Sequence, residues 1–161
     1  MTCLHRNDKN FITIDSDIIT KMADEAKASS AQMSRYLLHT SVDQSVQEML
    51  IAFTNQCQMK PNQSPGRSES LKVIQGEMLL IEWNEQGEVV NQLEMGDCAS
   101  GKPFLYRYNA TPWHLMLALT EVVIVHEAIE GPFVKMASPA EPLWTKKVSL
   151  VPGDYMSMEG V

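Results

Sequence analysis

An alternation of apolar and polar residues with a period of two dominates the chain after about residue 70. Successive side chains on a β-strand point to opposite faces, so this pattern predicts strands with one buried face. A turn signal at 84–88 and further β-rich segments at 102–108, 114–119 and 121–129 predict an antiparallel sandwich or barrel. Five large apolar residues carry the first part of the alternation on one parity, with Gly76 at a bend between them: Leu71, Val73, Leu79, Ile81 and Trp83.

The region before the alternation has a different period. Between residues 16 and 29, apolar residues recur at helical spacing, and Asp15 or Ser16 can cap the first turn. The segment 43–53 is compatible with a second short helix or with a strand from about Met49 to Met59. We therefore expect one structural domain with three parts: an N-terminal arm and helix at 1–45, a barrel at 46–135, and an irregular C-terminal tail at 136–161.

Charge and composition argue against several classes of function. The chain has 13 basic and 20 acidic residues, a net charge of −7, and no run of basic residues. Binding to nucleic acid or to an anionic membrane surface therefore has little electrostatic support. Three widely spaced cysteines without a CxxC pattern fit a reducing compartment. We expect a cytoplasmic protein with no nucleic-acid partner and no membrane partner.

Several polar residues are placed to point into the predicted barrel. Glu69 has the parity of the apolar strand face that follows it, and His114 opens an apolar strand. Asn62 and Ser64 would share one direction if they lie on a strand. An inward histidine and carboxylate can bind a metal, act as an acid/base pair, or simply bond to each other. His126 and Glu127 are neighbours on a later strand, so only one of them can face the interior.

Seven short segments occur in an order that resembles a known family. They are RYLLH at 35–39, VQEMLIAF at 46–53, a Pro-x5-Arg-Ser-Glu pattern at 61–69, VIQGEM at 73–78, WNEQGEV at 83–89, PWH at 112–114 and EAIEGPF at 127–133. In this order they resemble the cupins, and more narrowly the WbuC family of cupin-fold proteins found with O-antigen sugar biosynthesis.

The resemblance implies an all-β fold, an antiparallel, jelly-roll-like cupin β-barrel with the N-terminal helix packed outside. It also implies four metal-ligand positions, which fall on Asn62, Ser64, Glu69 and His114. Two of these positions hold an amide and a hydroxyl, which are poor donors to divalent transition metals. The sequence does not identify a cofactor. A divalent transition metal is possible, with Glu69 and His114 as its ligands, but we expect no tightly bound ion at a site with two of the four ligands.

The leading hypothesis for function is that the barrel binds a small polar molecule, with a sugar or sugar nucleotide suggested by the resemblance. One alternative is a sugar isomerase or epimerase that uses His114 as the base and Glu69 to orient it. A second alternative is a non-catalytic interaction module, and a homodimer is compatible with each hypothesis. The candidate ligand-binding residues are Asn62, Ser64, Arg67, Tyr106, Tyr108, Trp113 and His39.

Overall fold

The segments with period-two alternation form strands in two sheets. The computed structural model describes residues 1–132 and Trp144, so the expected tail at 136–161 lies outside the described residues apart from Trp144. The elements in chain order are β1 (Cys3–Arg6), α1 (Ser16–Ala28), β2 (Met33–Leu37), β3 (Val46–Thr54), β4 (Glu69–Gln75), β5 (Glu77–Trp83), β6 (Val89–Gly96), β7 (Leu105–Tyr108), β8 (Trp113–Ala118) and β9 (Val122–Glu130).

One sheet has six strands in the order β1-β2-β3-β9-β4-β7, and the other has three in the order β6-β5-β8. The pairings are antiparallel except between β1 and β2, which are parallel. The two sheets face each other, so the predicted β-barrel is jelly-roll-like rather than a single closed sheet. β1 and β2 come from the expected N-terminal arm and are hydrogen-bonded into the larger sheet. The predicted all-β fold is confirmed.

The helix α1 begins and ends close to the predicted boundaries. The carboxylate of Asp15 accepts a hydrogen bond from the Ile18 amide at 3.1 Å, which satisfies one of the free amides of the first turn. Met22 and Ala26 are buried against the outer face of the six-stranded sheet. The predicted outside helix is confirmed. Across the described residues, α1 included, helices fall short of the length and apolar character that crossing a membrane would require.

The ambiguous segment 43–53 contributes to a strand. β3 pairs with β9 over its whole length, from Val46 opposite Glu130 to Thr54 opposite Val122. Leu50 and Ala52 of β3 pack under the helix, whereas Ile51 and Phe53 face the second sheet. The segment is therefore a strand, but it runs from Val46 to Thr54 rather than from about Met49 to Met59. Pairing on both edges of β3 favours an extended backbone over an isolated short helix.

The main core lies between the two sheets. Ile51, Val73 and Val125 of the large sheet pack in one cluster with Leu80 and Met116 of the small sheet. A second cluster covers the outer face of the small sheet, and a third lies under α1. The inner core therefore fixes how the two sheets face each other.

Gly76 lies where the chain passes from one sheet to the other, between β4 and β5. Its φ is +84°, a conformation that strains residues with a side chain. A Cβ at this position would lie 2.5 Å from the Val122 carbonyl oxygen and 2.6 Å from Thr120 Oγ1. The bend predicted from the sequence thus requires glycine for both its backbone conformation and its space.

We expect Gly76→Ala to lower the free energy of unfolding by about 2 kcal/mol or more, because it adds a steric clash to an unfavourable φ. Gly66→Ala is the matched control, since Gly66 has a φ of +71° and, among the residues that the structure describes, a Cβ there would have no heavy atom within 4 Å. Urea denaturation of both variants measures the difference. Equal losses would show that the close contact with β9 contributes nothing.

Candidate functional site

Strand β8 and the loop before β4 bring two of the predicted site residues side by side. The amide of Asn62 donates to the His114 carbonyl at 2.9 Å, and the amide of His114 donates back to the Asn62 carbonyl at 2.9 Å. This bridge fixes the Asn62 loop against the beginning of strand β8. The loop continues through a turn in which the Arg67 amide donates to the Ser64 carbonyl at 3.1 Å.

His114 and Glu69 meet in the interior between the sheets. The side chains are each 4% exposed, and His114 Nε2 lies 3.7 Å from Glu69 Oε1. His114 Nδ1 lies 3.0 Å from the Pro112 carbonyl oxygen, which can only accept, so Nδ1 carries a proton. Nε2 is therefore the ring nitrogen directed toward the carboxylate. The separation exceeds a direct hydrogen bond, so the two groups interact electrostatically across a gap.

Two tyrosine side chains contact this pair, Tyr106 at Glu69 and Tyr108 at His114. The Tyr106 hydroxyl donates to Glu69 Oε1 at 2.7 Å, and burial together with the Glu69 charge raises the pKa of Tyr106 above its ordinary value. The Tyr108 hydroxyl donates to the carboxylate of Glu82, and its ring centroid is 5.8 Å from that of His114. Burial, followed by Glu82, raises the pKa of Tyr108. Both phenols thus stay protonated and act as donors that hold carboxylates in place.

A cavity of about 370 Å³ opens between the sheets on the side of His114 and Glu69. Its lining combines acidic, basic, amide and apolar side chains. The lining residues are Leu4, Arg6, Met33, Arg35, Leu37, His39, Val42, Gln47, Met49, Ile51, Met59, Asn62, Ser64, Arg67, Glu69, His114, Met116, Glu127 and Ile129.

The structure brings six of the predicted site residues to this cavity: His39, Asn62, Ser64, Arg67, Glu69 and His114. Two of the six also contact backbone at the rim. His39 Nδ1 lies 2.9 Å from the Glu48 carbonyl oxygen. The Arg67 guanidinium donates to the carbonyl of Pro132.

The three other predicted ligand-binding residues do not line the cavity. Tyr106 and Tyr108 lie behind Glu69 and His114, as described above. Trp113 precedes His114 on β8, so its side chain points to the opposite face of the small sheet, where it packs with Trp83 and Trp144. Its indole nitrogen donates to the Glu85 carboxylate at 3.3 Å. These three aromatic side chains are therefore absent from the cavity lining that the structure describes.

Glu127 and Arg35 also line the cavity; the sequence left the choice between Glu127 and His126 open and did not single out Arg35. Of the two neighbours on β9, Glu127 points into the cavity, whereas His126 Nε2 lies 3.5 Å from Glu48 Oε1, outside it. Burial and, after it, the Glu69 charge raise the pKa of Glu127 to about 7, against an opposing effect of Arg35. The alternation of residues in β2 and β9 indicates which side chains share a face of each strand. Which of the two faces points into the cavity depends on how the strands pair.

The four cupin ligand positions do not make a complete metal site. Glu69 Oε1 already accepts the Tyr106 hydroxyl, and Asn62 and Ser64 supply weak neutral donors. Within residues 1–132, this region does not hold three histidine, cysteine or acidic side chains whose donor atoms converge on one point. The residues at these positions therefore do not fit the transition-metal centre that the cupin resemblance implies.

The model of a family described as a domain of unknown function (DUF6016) matches residues 14–95. This match runs from the N-terminal helix through β6, so it includes Asn62, Ser64 and Glu69. No curated protein matches the chain.

Solved structures share the fold at low sequence identity. A cupin superfamily protein from Desulfitobacterium hafniense aligns with a TM-score of 0.50 and 14% identity, over 68% of this chain and 86% of that one. An oxalate oxidase in complex with the substrate analogue glycolate aligns with a TM-score of 0.51 and 11% identity, over 66% and 54%. An HTH_3 family transcriptional regulator from Vibrio cholerae has a TM-score of 0.48 and 16% identity, over 73% and 61%. This chain therefore spans less than two thirds of the regulator and of the oxidase.

The two facing sheets and these neighbours define a cupin-fold protein. Within that fold, the chain belongs to the family described as a domain of unknown function (DUF6016).

We expect Glu127 to make stability fall as the pH rises toward 7. In the unfolded chain this carboxyl releases its proton near 4.5, whereas the folded state keeps it up to about 7. Between these values the folded state binds more protons, so the free energy of unfolding decreases with pH. In the wild type, the free energy of unfolding should decrease by an amount on the order of 2–3 kcal/mol between about pH 5 and pH 8, and Glu127→Gln should remove this decrease.

Urea denaturation at the two pH values measures this effect. Glu121→Gln is the control for the same chemical change, because the Glu121 side chain is 76% exposed and far from the cavity. Parallel pH dependence in the wild type and Glu127→Gln would contradict the assignment.

We expect Asn62→His with Ser64→His to create affinity for nickel or zinc in the cavity. Both positions line the same cavity as Glu69 and His114, so the double variant supplies the two missing imidazoles. Calorimetric titration should detect one additional equivalent of metal relative to the wild type. Adding His114→Gln to the double variant should abolish that equivalent, and its persistence would mean that the new histidines bind metal elsewhere.

Proposed function

We propose that this protein binds a small polyhydroxylated molecule, of the size of a monosaccharide, in the cavity between its sheets. The observation that carries the proposal is the composition of the cavity lining: it combines the buried groups Glu69 and His114 with more exposed cationic and amide groups and with apolar side chains. A volume of about 370 Å³ is at the lower end of the range for small-molecule sites.

The inner polar groups suit hydroxyl groups of a ligand. Glu69 has one oxygen engaged by Tyr106, and His114 directs Nε2 toward it across 3.7 Å. A hydroxyl is both a donor and an acceptor, so it can satisfy a carboxylate and an imidazole at once. Glu69 and His114 each keep one polar atom that is not engaged by Tyr106 or Pro112, and a ligand hydroxyl can bond to those atoms.

The apolar wall suits the carbon face of a sugar ring. Met49, Ile51, Met59 and Met116 line the cavity beside the polar cluster. Methionine side chains adapt their shape to irregular ligands at small conformational cost. At the rim, Arg6, Arg35 and Arg67 would face any group that extends out of the cavity. A sugar nucleotide fits this arrangement if only its sugar enters and its phosphates remain near the arginines. The WbuC resemblance supports the same chemical class.

Proton transfer on the bound molecule is the alternative, and the orientation of His114 favours it over the interaction-module hypothesis. Its Nδ1 is fixed by a backbone carbonyl, and its Nε2 faces both the cavity and Glu69. A histidine held in one tautomer beside a carboxylate is the arrangement of a general base.

We expect Glu69→Gln to weaken binding of a monosaccharide by about tenfold or more, because a hydrogen bond to a charged group contributes about 1.5–3 kcal/mol. Ligand-observed NMR with neutral sugars, sugar phosphates and sugar nucleotides identifies the class, and calorimetry measures the change. Glu121→Gln should bind as the wild type does.

Three outcomes distinguish the hypotheses. Binding without deuterium uptake from D2O supports a binding protein. Deuterium uptake into the bound sugar that His114→Gln abolishes supports the proton-transfer alternative. A cavity that binds no member of the three sugar classes would refute the proposal.

A further inference from the structure

A cysteine, a histidine and a glutamate come together on the outer face of the six-stranded sheet, away from the cavity. Cys3 and His5 are two residues apart on β1, so their side chains point the same way, toward α1, which supplies Glu25. Their donor atoms all lie within 4.8 Å of one another, and this is the one such group among residues 1–132 and Trp144. We propose that Cys3, His5 and Glu25 form a zinc site that joins the edge strand β1 to the helix.

The distances fit a tetrahedral ion with modest adjustment. His5 Nε2 is the central donor, 3.5 Å from Cys3 Sγ and 2.7 Å from Glu25 Oε2. Typical zinc bond lengths place a sulfur and a nitrogen ligand about 3.6 Å apart and a nitrogen and an oxygen ligand about 3.4 Å apart. The sulfur–nitrogen separation therefore already matches, and the Glu25 carboxylate must withdraw by less than about 1 Å.

The surroundings hold the three side chains in place. The His5 ring stacks on Tyr36, its register partner on β2, with centroids 5.7 Å apart. Glu25 is adjacent to Ala26, which is completely buried against the sheet, so the helix cannot rotate freely about this position. The side chains of His5 and Glu25 are 30% and 23% exposed, which leaves a fourth coordination position open to water.

The charges also match a divalent ion. A thiolate and a carboxylate carry two negative charges together, which balance one Zn²⁺, and imidazole is neutral as a ligand. On binding, Cys3 releases its thiol proton to solvent, His5 keeps one proton on Nδ1, and Nε2 and Sγ bond to the metal. Lys21 Nζ, 3.8 Å from Glu25 Oε1, can remain paired with the carboxylate oxygen that does not face His5.

Cobalt(II) titration of the full-length protein, prepared under reducing conditions without a polyhistidine tag, tests the site. We expect one equivalent of Co²⁺ to produce a thiolate-to-cobalt charge-transfer band and the visible bands of tetrahedral cobalt, both removed by one equivalent of Zn²⁺. Zinc should also raise the Tm of the wild type. Cys3→Ser should abolish the charge-transfer band and the Tm shift.

Further variants separate this site from other groups. Glu25→Gln should keep the thiolate band and weaken metal affinity by at least about tenfold, because even indirect supporting groups contribute that much. Cys98→Ser, which changes an exposed cysteine elsewhere, and His114→Gln, which changes the cavity, should leave the titration unchanged. The absence of a thiolate band in the wild type, its persistence in Cys3→Ser, or its loss in Cys98→Ser would each overturn the proposal. If Cys3→Ser fails to fold, an unaltered affinity in Glu25→Gln overturns it independently.

Discussion

The pairing of β9 between β3 and β4 is the constraint on which the rest of the structure depends. Its first half, Val122–Val125, is buried on both faces, under α1 on one side and against the small sheet on the other. Its second half, from His126 to Glu130, is polar and only partly buried. The same strand therefore divides the space between the sheets into a packed apolar end and a cavity end.

The cavity end concentrates groups that are unfavourable to bury, and the fold compensates each of them. Glu69 receives the Tyr106 hydroxyl, and His114 donates to a backbone carbonyl. Across the described residues, every buried side-chain nitrogen or oxygen has a hydrogen-bond partner. Burial, followed by repulsion from Glu69, raises the pKa of Glu127. We expect these two neighbouring carboxylates to favour ligands that donate hydrogen bonds, which is the basis of the function that we propose.

The edge strand β1 connects the two sites that we propose. Its alternation places Leu4 and Arg6 at the cavity and Cys3 and His5 under the helix. Among the strands that the structure describes, β1 pairs with β2 alone, so its stability depends on the side-chain contacts it makes with α1. An ion bound between His5 and Glu25 would hold that edge, and with it the Arg6 side of the cavity rim. The metal chemistry absent from the cupin positions is thus available on the opposite face of the same sheet.

The sequence by itself determined the elements whose signals are local. The Asp15 cap, the turn at 84–88, the bend at Gly76 and the inward parity of Glu69 follow from neighbouring residues, because helical and strand periodicities and positive φ are local properties. The sequence also placed His114 and Glu69 on inward-facing positions, and the structure brings them to 3.7 Å from each other.

Only the tertiary structure decided which side chains share a cavity. The parallel pairing of β1 with β2 brings Arg6 and Arg35 to the rim, and the register of β9 selects Glu127 over His126. Tyr106 became a support for Glu69 rather than part of the lining, because β7 pairs with β4 behind the site. These outcomes depend on which strands pair and in which register, and a shift of one residue would reverse every face. Strand pairing and register are set by the packing of the whole core, so local sequence patterns do not reveal them.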